Sequence, residues 1–165
     1  MYPHINHNNP FHQYLPLFKY QPDAVAIIEG SNEYPAIQGE VRFCQTEHGV
    51  LIGANIYGLP HNKTFLGFHI HEGTSCNDST EDPFPLTKGH YNPFMKEHPN
   101  HAGDLPPLLV TDDGYAFSIF LTNSFAIEDI IGHTIVIHSM ADDFTTQPAG
   151  NSGIKIACGQ IAVLS

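Results

Sequence analysis

Two histidines alternate in the segment Phe68-His69-Ile70-His71. If this segment is a β-strand, both imidazoles project from the same face and can converge on one metal ion. His138 ends the apolar run 134–137 and could reach a metal held on a neighbouring strand. These three residues alone are also compatible with histidines that line a polar sheet face or close a strand.

A second group of potential ligands lies farther along the chain. His90, His98, His101 and Asp104 fall within fifteen residues and supply four nitrogen and oxygen donors. Such a set suits a closed tetrahedral zinc site, which can also order a long loop. The alternative for this segment is a solvated polar loop.

The composition favours metal binding over several other functions. The 165 residues include twelve His but only six Lys and Arg, and the formal net charge is -11. Because nucleic acids and anionic membranes bind basic patches, we expect neither as a partner. An anionic substrate would need a local positive centre, which bound metal ions supply.

These residues must be positioned by short strands, because no stretch sustains helical spacing. Eight apolar runs rich in Val, Ile, Phe and Tyr are separated by Gly, Pro, Asn and Asp, which predicts one all-β domain, a sandwich or a barrel. The turn Asp112-Asp113-Gly114 predicts a hairpin. The predicted strands are 24–28, 36–44, 50–57, 65–72, 108–112, 115–121, 134–138 and 154–163.

The segments outside the strands differ in character. Long connections at 73–103 and 139–153 are of a length that usually carries function. The composition of residues 1–22 predicts an irregular arm, followed by one domain at 23–165. The arm's His4, His7 and His12 could capture copper, although a plain polar arm is the simpler interpretation. No run is long enough to span a membrane and no export signal opens the chain, so we expect a cytoplasmic protein or a mature exported form.

The chain has three cysteines and no Cys-x-x-Cys motif, which argues against a zinc finger or a thioredoxin-like site. A bridge between Cys76 and Cys158 would attach the first long loop to the last strand, and closing a loop of this size contributes roughly 4 kcal/mol in the chain-entropy model. The alternative is that both are small buried thiols, as we expect for Cys44.

Together these elements resemble the copper/zinc superoxide dismutase family from about Asp23 to the end of the chain. The match rests on five segments in a fixed order: Gly67-Phe68-His69-Ile70-His71-Glu72, Gly89-His90-Tyr91-Asn92-Pro93, His101-Ala102-Gly103-Asp104-Leu105-Pro106, His138-Ser139-Met140-Ala141-Asp142-Asp143 and Ala157-Cys158-Gly159.

The resemblance implies a fold and two metal sites. The fold would be an eight-stranded Greek-key β-barrel of the sandwich type, with the metals outside it between the two long loops and a Cys76–Cys158 disulfide bond. His90 would serve both metals, one through each ring nitrogen. The copper ligands would be His69, His71, His90 and His138, and the zinc ligands His90, His98, His101 and Asp104.

The resemblance also implies an activity, the antioxidant dismutation of superoxide to dioxygen and hydrogen peroxide by an oxidoreductase. His90 would deliver a proton in the second half reaction. Asp142 would hydrogen-bond to His69 and His98 and so orient their rings, unless it is an ordinary loop carboxylate. The family includes monomers and homodimers, and either state is expected here.

One position departs from the family pattern. Lys155 stands three residues before Cys158, where the family has an active-site arginine. Lysine keeps the positive charge but lacks the planar guanidinium fork, so we expect reduced activity. If Lys155 instead points into solvent, the chain would be a copper- and zinc-binding protein of the same fold, for storage or structure, with little or no dismutase activity.

Overall fold

The computed structural model describes residues 21–60, 64–79 and 81–164, and in these ranges it is almost entirely β-structure. A single helical turn, α1 (Ile127–Ile130), and a 3-10 turn at Pro85–Thr87 are the helical exceptions among the described residues. The strands are β1 (Ala24–Gly30), β2 (Gln38–Thr46), β3 (Gly49–Tyr57), β4 (Phe65–Leu66), β5 (Phe68–His71), β6 (Leu108–Leu109), β7 (Ala116–Thr122), β8 (Thr134–His138) and β9 (Lys155–Val163).

Seven strands form one curled antiparallel sheet in the order β5-β8-β9-β1-β2-β3-β7. The short strands β4 and β6 pair with each other in a second sheet. Because β4 runs into β5 at Gly67 and β6 leads into β7, this small sheet connects the two ends of the large one. The Greek-key β-barrel predicted from the sequence is confirmed.

Two predicted strands differ in detail. The run 65–72 divides at Gly67, whose N–H donates to the Met140 carbonyl while its own carbonyl accepts from the His138 N–H. The run 108–112 keeps only its first two residues as strand, because Leu108 and Leu109 pair with β4. The turn at 112–114 is present, and the Thr111 N–H donates to the Tyr115 carbonyl across it.

Alternation along the strands builds the interior. In β1 the side chains of Ala24, Ala26 and Ile28 are buried, whereas Ile27 between them is half exposed. Phe43 and Ile52 extend the same core from β2 and β3. Burial of each large apolar side chain contributes about 1.5–3 kcal/mol, so this core holds the sheet in its curled form.

Two long connections lie outside the barrel, one between β5 and β6 and one between β8 and β9. The first is attached to β9 by a disulfide bond between Cys76 and Cys158, with a Cα–Cα distance of 5.6 Å, while Cys44 is free and buried. The predicted arm at 1–22 lies almost wholly outside the described residues. Within those residues, no helix has the length and apolarity needed to cross a membrane.

Candidate metal centre

The strand β5 is buried on both of its faces. Phe68 and Ile70 point into the barrel core, so the alternate residues His69 and His71 point to the opposite face. Both histidines are nevertheless buried, with 0% and 2% of their surfaces exposed. The long loops therefore cover this outer face of the sheet.

The neighbouring strand β8 brings His138 to the same face. It pairs with β5 in antiparallel register, with Val136 opposite His69. His138 ends the strand, and a register irregularity follows Ile137 on its β9 side. The Nε2 atoms of His71 and His138 lie 3.2 Å apart.

Main-chain hydrogen bonds hold the first loop along β5. Isolated β-bridges join His71 to His90 and His69 to Asp104. The Tyr91 N–H donates to the Ile70 carbonyl, at 2.8 Å. These contacts explain how residues distant in sequence reach the strand histidines.

The described residues contain two groups whose donor atoms lie within 4.8 Å of one another. His90 belongs to both groups. We name the groups by their members: the strand group is His69, His71, His90 and His138, and the loop group is His90, His98, His101 and Asp104.

Hydrogen bonds fix the ring tautomers in the strand group. The Nδ1 of His71 lies 2.9 Å from the Lys88 carbonyl, and the Nδ1 of His138 lies 3.4 Å from the Gly153 carbonyl. A carbonyl only accepts, so each Nδ1 carries the proton of the neutral ring and each Nε2 keeps a lone pair. The two facing Nε2 atoms then repel each other unless a cation lies between them.

Asp142 has the same effect on one histidine of each group. Its Oδ2 lies 2.7 Å from Nε2 of His69, and its Oδ1 lies 2.8 Å from Nε2 of His98. Each Nε2 therefore donates its proton to the carboxylate, and each Nδ1 is left with a lone pair. Asp142 thus links the strand group to the loop group by hydrogen bonds.

In the loop group, Asp104 faces three histidine nitrogens. Its Oδ1 lies 2.7 Å from Nδ1 of His90, and its Oδ2 lies 3.1 Å from Nδ1 of His98 and 3.3 Å from Nδ1 of His101. Neither His98 nor His101 has hydrogen-bond geometry at that nitrogen toward any described residue. Four donors therefore converge on one point, where Nδ1 of His90 is hydrogen-bonded to Asp104 but Nδ1 of His98 and Nδ1 of His101 have no hydrogen-bond partner among the described residues.

Burial and hydrogen bonds shift the pKa values of two strand-group histidines and of the Asp142 carboxylate that orients the rings. Burial lowers the pKa of His138 to about 3, with further lowering by His69 and His90, and burial lowers the pKa of His71 well below its usual value. Burial acts to raise the pKa of Asp142, but hydrogen bonds from His69, His98 and the Phe144 N–H outweigh it and lower that pKa. At neutral pH the imidazoles of His71 and His138 are therefore neutral and the Asp142 carboxylate is ionised.

The donor set fits the two metals. Nδ1 of His69, Nε2 of His90 and Nδ1 of His98 are buried with no hydrogen-bond partner in the described part of the chain, and such orphaned atoms are costly unless something binds them. Imidazole suits copper, and a set of histidines with one carboxylate suits tetrahedral zinc. His90 offers Nδ1 to the loop group, which leaves its orphaned Nε2 for the strand group.

Lys155 begins β9 and pairs in register with His138. Its ammonium donates to the Phe84 carbonyl at 3.2 Å, and the residue is partly buried. Burial lowers the pKa of Lys155, while Asp82 acts in the opposite direction. Lys155 is therefore anchored beside the strand group and does not extend freely into solvent.

Some residues that build the site escape sequence reasoning. The carbonyls of Lys88 and Gly153 set the tautomers of His71 and His138, but every residue carries a carbonyl, so no residue type signals this role. Gln147 hydrogen-bonds to the main chain of His98, and a lone glutamine in a polar loop gives no warning of that contact.

Comparisons with known proteins agree with this geometry. Residues 37–161 match the family described as copper/zinc superoxide dismutase (SODC). The chain is 39% identical over 158 residues to superoxide dismutase [Cu-Zn] 2 of Aquifex aeolicus, covering 86% of this chain and 89% of that one. It is 33% identical over 146 residues to superoxide dismutase [Cu-Zn] of Legionella pneumophila, covering 84% and 86%.

A solved structure gives a similar result. A double mutant of a SOD-like protein from Bacillus subtilis superposes with a TM-score of 0.70 at 33% sequence identity, covering 84% of this chain and 96% of that one.

Proposed function

The chain belongs to the copper/zinc superoxide dismutase family, an oxidoreductase family that uses copper and zinc as cofactors, and we propose that it dismutates superoxide. In this proposal the strand group holds copper and the loop group holds zinc. Two superoxide anions and two protons give one dioxygen and one hydrogen peroxide.

A single observation carries the proposal, the membership of His90 in both donor groups. One imidazole has two ring nitrogens on opposite sides, so it can join two metals only if both groups converge on it. Unrelated metal sites would not share a residue in this way. The arrangement is specific to a coupled pair of metals.

The metals would supply the redox and charge chemistry, since copper accepts and returns one electron while zinc stays in one oxidation state. The protein supplies position and protons. Asp142 orients the rings of His69 and His98, and the main-chain carbonyls behind His71 and His138 do the same for those rings. Nε2 of His90, buried and orphaned within the described structure, is the atom at which a proton would be held for the second superoxide.

Lys155 would attract the anionic substrate in a protein whose overall charge repels it. Its ammonium acts as a point charge, and one of its donors is already used by the Phe84 carbonyl. An arginine would add a planar fork able to hold a small anion by two hydrogen bonds. We therefore propose an activity below that of a chain with arginine at this position.

Superoxide decay by the copper- and zinc-loaded protein tests this role for Lys155. We expect Lys155→Ala to slow decay about tenfold, because the local positive charge is lost, and Lys155→Arg to accelerate it. Stopped-flow measurement at constant ionic strength gives the rates, and metal content is checked in each sample. Equal rates for all three proteins would contradict the role of Lys155.

A second candidate function is metal binding without significant dismutase activity, for storage or structure. It is favoured by Lys155 in place of arginine and by the likeness to a solved protein that is described as SOD-like. The same measurement separates the two functions. Full copper and zinc occupancy with no acceleration of superoxide decay would support the second.

A further inference from the structure

Gln147 is not a member of the loop group, but its side chain contacts the main chain of one member, His98. Its Oε1 accepts the His98 N–H at 3.0 Å, and its Nε2 donates to the His98 carbonyl at 2.7 Å. One side-chain amide therefore binds both main-chain groups of a single residue 49 positions away. The pairing imitates one rung of a β-ladder.

The connection between β8 and β9, which carries Gln147, also hydrogen-bonds to the side chain of His98. Asp142 accepts from Nε2 at 2.8 Å, which leaves Nδ1 directed toward Asp104, with 3.1 Å between Nδ1 and Oδ2. Asp142 controls the rotation of the ring, but it cannot fix the position of the main chain that carries the ring. The amide of Gln147 supplies that second constraint.

We infer that Gln147 is a positioning residue for zinc, which holds the His98 main chain so that Nδ1 stays in the loop group before the metal arrives. The inference rests on the proposed assignment of zinc to this group. It adds a role for the connection between β8 and β9, whose residues Asp142 and Gln147 together set the geometry of a ligand on the other long loop. Partners that hydrogen-bond to the ligating ring itself typically contribute 10-fold to 100-fold in metal affinity, and we expect this main-chain contact to reach the lower end of that range.

Two variants of Gln147 test its two hydrogen bonds to the His98 main chain. Gln147→Met keeps the length of the side chain and removes both hydrogen bonds. Gln147→Glu keeps an acceptor for the His98 N–H but cannot donate to the His98 carbonyl. We expect the zinc dissociation constant to rise at least tenfold in Gln147→Met and by a smaller factor in Gln147→Glu.

Gln45 provides a matched control. Its amide also bridges main-chain groups, accepting from the Ile127 N–H at 3.2 Å and donating to the Thr46 carbonyl at 3.2 Å. It lies at the end of β2, where no residue of either donor group is found. We expect Gln45→Ala to lower the melting temperature and to leave the zinc dissociation constant within twofold.

The experiment uses the whole chain and two readouts other than activity. Zinc affinity is measured by competition with a chromophoric chelator, and Co²⁺ bound in place of zinc reports the ligand geometry through its visible absorption. The predicted result is weaker zinc binding and an altered Co²⁺ spectrum in Gln147→Met, with Gln147→Glu between it and the parent protein.

Two results would overturn the inference. The first is zinc affinity within twofold of the parent in both Gln147 variants, and the second is an equal loss in Gln45→Ala, which would make the effect one of general stability. A parent protein that binds no zinc, or binds it equally well after His101→Ala, would overturn the proposed zinc site itself and the inference with it.

Discussion

At the scale of single residues, the site depends on histidines that are buried and kept neutral. Their lone pairs point at common positions because carbonyls and carboxylates hold the opposite ring nitrogens. In the metal-free protein this arrangement has a cost, since protons compete for the same lone pairs that metals would bind.

The pH dependence of stability in the metal-free protein follows from this competition. Burial lowers the pKa values of His69, His71 and His138 in the folded state, so the unfolded chain binds more protons below its own histidine pKa of about 6.5. Stability should therefore fall as the pH drops from about 6.5 toward 3, by up to about 1.4 kcal/mol per pH unit for each histidine.

Urea denaturation of the chelator-treated protein at pH 7, 6 and 5 measures this effect. His138→Gln removes one of the titrating groups and should make the decline shallower. Constant stability between pH 7 and pH 5 would show that these histidines are not held neutral by burial.

Gly150 occupies a position that admits no side chain. Its φ is +68°, and a Cβ there would collide with Oδ1 of Asp142 and lie 2.7 Å from Nε2 of His98. We expect Gly150→Ala to displace the Asp142 hydrogen bonds and to weaken metal binding at least tenfold, beyond the roughly 1 kcal/mol that backbone strain alone costs.

Gly132 is the matched control for that substitution. Its φ is +86°, and no described neighbour lies within 4 Å of the added Cβ. Gly132→Ala should therefore lower the melting temperature by strain alone and leave metal affinity unchanged. Similar metal affinities in Gly150→Ala and Gly132→Ala would contradict the steric argument.

At the scale of elements, strands β5 and β8 of the barrel carry the strand histidines, and the two long connections pack over them and shield them from solvent. The disulfide bond between Cys76 and Cys158 attaches the first connection to β9 and closes a long loop, with a sequence separation of 82. Phe84 and Val136 pack beside it in a small apolar cluster separate from the main core.

Removing the Cys76–Cys158 disulfide bond should lower the stability of the protein while the barrel still folds. For Cys76→Ser with Cys158→Ser we expect a loss of roughly 4 kcal/mol in the free energy of unfolding, because the unfolded chain regains loop freedom. Denaturant titration of the metal-free protein gives the value. Cys44→Ala, which removes a free buried thiol, is the control and should lower the free energy of unfolding by about 1 kcal/mol. Equal losses in the two variants would contradict the role of the disulfide bond.

At the scale of the whole molecule, residue type and periodicity predict one all-β domain, whereas the Greek-key barrel and the Cys76–Cys158 disulfide bond are expectations that come from the family resemblance. The alternation of His69 and His71 signals one strand face, and apolar runs signal the strands. The division of one strand at Gly67 was not predictable, since it depends on the contact with Met140, more than seventy residues away.

The structure also brings together the residues that the sequence nominated for the two metals. What the sequence could not show is how they are held there. The carbonyls of Lys88 and Gly153 carry no residue-specific signal. The hydrogen bonds between Gln147 and His98 join two loops that only the folded barrel brings together. The metal assignments of the individual residues stay a proposal.

The most direct test of the account is the second-order rate of superoxide decay with the copper- and zinc-loaded chain, measured beside the same protein loaded with zinc alone. The account predicts catalytic decay over many turnovers that depends on copper in the strand group and is lost in the zinc-only sample. Decay no faster in the fully loaded protein than in the zinc-only protein would contradict it.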